Sequence, residues 1–196
     1  MIERVAHRIN EIPRLETLSS DLGAEIDIRS AAGELILHHE PHAAGPKLDD
    51  FLRTYARTRK GRLLILNPKE DGLDGEILAL AHRHGLENFF LLDLPYPSIV
   101  RLAVREGERR VAVRFSEFET AESALRLAGK AAWVWVDCFD GKPPEAAQVR
   151  ELRQAFRVCL VSPELAGHGA ERIPDFLPLA KEADAVCTKY PERWSS

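Results

Sequence analysis

The sequence holds 196 residues, 45% of them apolar and 30% charged, enough to bury a core without disulfide or metal staples. Lys plus Arg number 27 against 31 Asp plus Glu, a formal net charge of −4, so the chain lacks the basic footprint of a nucleic-acid or anionic-membrane binder. No stretch reaches the roughly 18 apolar residues of a membrane helix, and the start, charged from Glu3 onward, lacks the apolar segment of a secretory signal.

Three widely spaced cysteines, Cys138, Cys159 and Cys187, sit in apolar runs and read as reduced core thiols of a cytoplasmic protein. Apolar runs and helical segments alternate along the chain. Val5-Ala6 comes first, then Ile26 to Ile28 around Asp27, and a hairpin arm Leu35-Ile36-Leu37 after a turn at Gly33. Lys47 to Thr58 sets Leu48, Phe51, Leu52 and Tyr55 on one helical stripe. The run Leu63 to Leu66 precedes a helix over Gly75 to His84, and Phe89 to Leu92 precedes one over Pro97 to Arg105. Val111 to Val113 leads to a helix over Thr120 to Ala128, which stops at Gly129. Trp133 to Val136 leads to a helix over Pro144 to Ala155. Val158 to Val161, a helix over Glu171 to Glu182, and Ala185 to Cys187 complete the set, and Arg193 to Ser196 read as a surface tail.

Continuous apolar runs indicate strands buried on both faces, as in a parallel sheet wrapped by helices. Eight strand–helix units in one domain over residues 1–196 fit a trimmed barrel, since such barrels span roughly 200 to 400 residues. A doubly wound open sheet has the same alternation. Most runs end in polar residues: His7-Arg8, Asp27 with Arg29, Asn67 with Lys69, Asp93, Ser116-Glu117, Asp137, Ser162 and Thr188-Lys189. Barrel active sites lie at the C-terminal strand ends, so such a ring suits a pocket for a charged substrate.

Within the ring, Glu25 and Asp27 sit two apart on a strand and project from one face. Two hard oxygen ligands suit Mg²⁺ or Ca²⁺; the competing reading is a pair of exposed acids, or a barrel-lining ion pair with Arg29 or Lys69. His7 ends the first run, and His38-His39-Glu40-Pro41-His42 follows the hairpin. Paired histidines can act as general base and general acid across phosphorus, and Arg8 offers a bidentate fork to phosphate. His82, His84 and His168 fall in helix or loop contexts and take no role.

The ordered set His7-Arg8, Gly23-Ala24-Glu25-Ile26-Asp27, Gly33, His39-Glu40-Pro41, and the closing Ala185-Val186-Cys187-Thr188-Lys189-Tyr190-Pro191 resembles the glycerophosphodiester phosphodiesterases. The resemblance brackets residues 6 to 191, with the middle matched by pattern only. It implies a single compact (β/α)8 TIM barrel, a phosphoric diester hydrolase of lipid metabolism, and a divalent cation, Mg²⁺ or Ca²⁺. It assigns acid–base roles to His7 and His39 and the metal to Glu25 and Asp27; Arg8 and Lys69 are expected to bind the substrate phosphate, and Asn67 and Asp93 to complete the metal's ligands. The expected partner is a small phosphodiester, with no nucleic acid and no transmembrane segment.

This sequence departs from the family pattern at several points. Asn67-Pro68-Lys69 stands where Glu-x-Lys is usual, with Asp93 placed to compensate for the missing acid. Ile9 replaces the glycine after His-Arg, and Glu40 replaces an aspartate. Few residues separate His39 from the helix at Lys47, where many members carry a long insertion. Two other readings compete: a catalytically degenerate barrel that binds a phosphorylated ligand, and a sugar-phosphate lyase or isomerase using Lys69 or Lys189.

Overall fold

The computed structural model describes residues 2–194. Eight parallel strands alternating with helices make an α/β fold, the (β/α)8 TIM barrel. The chain divides into two compact units, one of residues 6–95 and the other of the residues before and after it.

Strand β1, Glu3–Ala6, leads into the first unit, which then contains α1, Ile12–Thr17, and the nine-residue β2, Gly23–Ala31. β3, Glu34–Leu37, turns back antiparallel on β2 with Ile28 opposite Leu37. The turn places Ala32 at φ 51° and Gly33 at φ 80°, the left-handed pair that a two-residue hairpin requires. After α2, Leu48–Thr58, comes β4, Leu64–Pro68, parallel to β2 with Asp27 opposite Asn67. α3, Asp74–Arg83, and β5, Phe89–Leu91, finish the unit, with β5 parallel to β4.

The α2 stripe is buried as its spacing predicts: Leu48, Phe51, Leu52 and Tyr55 are all covered, and the Tyr55 hydroxyl donates to the Leu63 carbonyl at 2.9 Å. Directly after α2, Arg59 is itself buried and donates to the carbonyls of Leu15 and Leu18. It thereby caps the C-terminal end of α1, a helix that no apolar period in the sequence announces. Gly45 closes the short return to α2, because a Cβ there would lie 2.0 Å from the Leu37 carbonyl oxygen.

The second unit holds α4, Tyr96–Val100, continued by a widened turn over Arg101–Glu106, then β6, Ala112–Phe115, and α5, Ala121–Leu125. Thr120 caps α5 by accepting from the Ser123 N–H. β7, Trp133–Val136, α6, Ala146–Arg153, β8, Arg157–Val161, α7, Ile173–Phe176, and β9, Ala185–Thr188, follow. β6 through β9 pair parallel in order. The helix expected over Glu171 to Glu182 breaks into 3₁₀ turns around the single turn of α7, because Pro174 and Pro178 cannot donate to a continuous ladder.

The expected surface tail is also revised. Pro191–Trp194 form a 3₁₀ turn and Trp194 is 1% exposed, its indole N–H donating to Ser162 Oγ at 3.0 Å. Ser195 and Ser196 lie outside the described residues. All three cysteines are buried as free thiols, and burial pushes Cys138 up to about 12. No helix among the described residues is long and apolar enough to cross a membrane.

Candidate active site

The unit of residues 6–95 gathers most of the expected site residues around the ends of β2 and β4. Glu25 and Asp27 share a face of β2, as their spacing requires, and both are buried, at 1% and 0% exposure. Asn67 stands in register with Asp27 on β4, and its Nδ2 donates to Glu25 Oε1 at 3.0 Å. The other oxygen of Glu25 accepts the Arg8 backbone N–H at 2.8 Å and lies 3.7 Å from His7 Nε2. Burial, and then the charge of Asp27, push the Glu25 carboxyl up to about 7, while the hydrogen bonds from Arg8 and Asn67 and the charge of Lys69 pull the other way.

Arg8 reaches this position through an unusual backbone. It sits at φ 54°, left-handed for a residue with a side chain, and its carbonyl accepts from Arg14 Nη1 of α1. That turn aims the Arg8 N–H at Glu25 and brings Nε to 3.6 Å from Asp27 Oδ2. The next residue explains one departure from the family pattern. Ile9 extends the ladder, its N–H donating to the Glu25 carbonyl, and its side chain is 1% exposed in the core. The left-handed turn falls on Arg8 itself, so no glycine is required after it.

Asn10, to which the sequence gave no role, proves to hold Asp27 on two sides. Its Nδ2 donates to Asp27 Oδ2 and its Oδ1 accepts the Asp27 backbone N–H, both at 2.9 Å. Only a fold-level contact could reveal this, since nothing in the spacing of Asn10 and Asp27 marks them as a pair. The remaining oxygen, Asp27 Oδ1, has Lys69 Nζ at 3.0 Å as an ion pair without hydrogen-bond alignment. Lys69 Nζ also lies 4.0 Å from Asp93 Oδ2, and Asp93 takes a left-handed φ of 58° after β5. The ion pair foreseen with Lys69 is therefore present at Asp27. Arg29 instead binds Glu70, and its Nε donates to the His39 carbonyl at 2.9 Å.

His39 follows β3, where the His38 N–H donates to the Asp27 carbonyl and so ties this segment to β2. His39 Nδ1 meets Glu40 Oε1 at 2.6 Å, and that bond holds the Glu40 carboxyl below its usual range. With Nδ1–H engaged by a carboxylate, Nε2 is the ring atom left to exchange a proton.

Whether these residues fit a cation can be judged from their unmet bonds. Among the described residues, three buried side-chain polar atoms lack a hydrogen-bond partner, and two are Asp27 Oδ1 and Asn67 Oδ1, on register-paired residues. Buried oxygens normally have partners, and two adjacent ones without them suit a hard cation. Among the described residues no three His, Cys, Asp or Glu side chains form a metal cluster, so a cation here would have at most two carboxylates and an amide to hold it. That is sufficient for an ion such as Mg²⁺, which keeps several waters.

The polar strand ends of the other unit are arranged differently. Asp137 pairs with Arg114, and the Glu117 carboxylate accepts the N–H groups of Phe139 and Asp140. Buried Glu164 accepts from Ser162 Oγ, from Thr188 Oγ1 at 2.7 Å and from the Lys189 N–H at 2.9 Å. The Lys189 ammonium donates to the Glu164 carbonyl. Glu164 escaped the sequence reading because it lies in a 3₁₀ turn three residues beyond the end of its strand run.

No protein-family profile matches the chain, and no curated protein matches it. Solved structures do. A candidate glycerophosphodiester phosphodiesterase from Galdieria sulphuraria superposes at TM-score 0.73 and 15% identity, over 99% of this chain and 96% of that one. A glycerophosphoryl diester phosphodiesterase from Parabacteroides distasonis gives 0.69 and 13%, over 99% and 85%. An Oleispira antarctica phosphodiesterase, solved with the product sn-glycerol-3-phosphate, gives 0.67 and 19%, over 98% and 94%. At such identities the likeness establishes the fold, which resembles that of glycerophosphodiester phosphodiesterases.

Proposed function

We propose that the chain is a metal-dependent phosphodiester hydrolase acting on a small phosphodiester. The observation that carries this reading is the pair of buried, hydrogen-bond-deficient oxygens on Asp27 and Asn67, set beside Glu25, His7, Arg8 and Lys69. Asp27, Glu25 and Asn67 would hold a divalent cation, Mg²⁺ or Ca²⁺, which supplies positive charge to the phosphate oxygens as the ester cleaves. Arg8 and Lys69 bind and orient the phosphate. His7 and His39 divide the proton transfers: one takes the proton of the attacking hydroxyl, from water or from the substrate, and the other protonates the leaving oxygen. Glu40 fixes the His39 ring for that exchange.

Support for a lyase or isomerase is weaker, because both of its candidate lysines are engaged, Lys69 in an ion pair with Asp27 and Lys189 by a hydrogen bond to the Glu164 carbonyl. The test is hydrolysis of a panel of phosphodiesters with Mg²⁺, Ca²⁺ or excess chelator, on wild type and on His7→Ala. Cation-dependent turnover lost in His7→Ala supports the reading. Tight binding of a phosphorylated ligand with no turnover of any diester would favour the degenerate, ligand-binding barrel instead.

A further inference from the structure

We propose that Lys69 is a built-in counter-ion at the cation seat, one that a divalent ion must displace and that Asp93 receives when displaced. The inference rests on the metal-dependent reading above and concerns how that site is kept charge-balanced. Asn10 binds both the backbone N–H and Oδ2 of Asp27, which fixes the carboxylate and leaves Oδ1 as its one open oxygen. That oxygen is where the Lys69 ammonium rests, at 3.0 Å, yet it is not aligned as a hydrogen bond. The contact is therefore one of charge more than of directional bonding, and a stronger cation can replace it without leaving a bond unmade.

Asp93 Oδ2 lies 4.0 Å from the same ammonium and is more exposed than Asp27, so Lys69 already stands between two carboxylates. A buried pair of acids without a counter-charge is costly, and Lys69 supplies that charge within the protein. The arrangement sets a threshold. Two carboxylates and an amide keep only an ion that attracts Asp27 more strongly than a monovalent ammonium does, which selects divalent cations. Displacement also frees the ammonium on the side of Asp93 to meet a phosphate oxygen, which couples cation uptake to substrate binding.

The expected sign is opposite to that of a supporting ligand. Removing Lys69 should tighten cation binding, whereas damage to a structural residue would loosen it. The experiment is titration calorimetry of chelator-stripped, full-length protein with MgCl₂, CaCl₂ and MnCl₂, without substrate. Lys69→Met and Lys69→Gln are measured beside wild type, with thermal melts to establish that each variant is folded. Removal of one positive charge at ion-pair distance should tighten the cation by about tenfold or more. Asp93→Asn should weaken it several-fold in wild type and leave it unchanged in the Lys69→Met background, because Asp93 acts through the lysine. Unchanged or weaker binding in both Lys69 variants overturns the counter-ion role. Equal weakening by Asp93→Asn in both backgrounds makes Asp93 a ligand and overturns its part. If neither wild type nor the variants take up any of the three ions, the counter-ion role and the metal fall together. Hydrolysis of bis(p-nitrophenyl) phosphate by chelator-treated wild type would then keep the phosphodiesterase reading and remove only its metal.

Discussion

The strand ends of the two units use the same residue types to opposite effect. In residues 96–194, Glu164 is buried and its carboxylate is met by Ser162, Thr188 and the Lys189 N–H, while Trp194 closes on Ser162. In residues 6–95, Asp27 and Asn67 are as deeply buried but each keeps an oxygen without a hydrogen bond. The first arrangement is what a stable interior demands of a carboxylate. The second tolerates a cost of about 1–3 kcal/mol for each unmet group, a cost that folding alone would not select. On the proposed function, the difference separates a polar cluster that holds the chain together from one kept open for a ligand.

Four experiments can break or sharpen that contrast. His7→Ala should lower kcat by about 10²–10⁴-fold, the usual contribution of a positioned acid–base group, with little change in Tm. Steady-state kinetics on the best substrate of the panel would show it, and activity indifferent to His7 would remove the site from the reaction. Asn67→Asp adds a full charge at the cation seat. It should tighten divalent cations by about several-fold to a few hundredfold in calorimetry, while lowering the melting temperature of the stripped protein.

Glu164→Ala tests the other cluster. It leaves three donors unmet in the interior and should cost about 3 kcal/mol or more in denaturant unfolding, with no change in cation affinity. A loss of cation binding there would erase the distinction between the two regions. The last effect is on pH. The folded Glu25 carboxyl titrates near 7 against an ordinary value of 4.5, so the native state binds more protons than the unfolded chain between those values. The stability of stripped protein should therefore fall as pH rises from about 4.5 to 7. Glu25→Gln or saturating cation should flatten that slope in a series of denaturant melts.

Much of this was legible in the chain. The strand runs could be read because strands buried on both faces are continuously apolar, and Trp133 to Val136 matches β7 residue for residue. Glu25 and Asp27 could be read because a strand repeats every two residues. What escaped depends on contacts that no period encodes. Asn10 serves Asp27 only because the chain after β1 folds against β2, and Trp194 is one indole in a polar segment with no pattern around it. The residues 171–182 look helical by their apolar spacing, and the two prolines decide otherwise.

The left-handed backbone of Arg8 has a practical consequence for mutagenesis. At most positions alanine is the neutral replacement and glycine the disruptive one. Here the order reverses, because φ 54° strains any side chain, by about 1–2 kcal/mol, and suits glycine. Arg8→Gly should delete the guanidinium while keeping the N–H on Glu25, whereas Arg8→Ala carries the same deletion with the strain retained. The two variants together separate what the Arg8 side chain contributes from what its peptide contributes, a separation seldom possible at a candidate catalytic position.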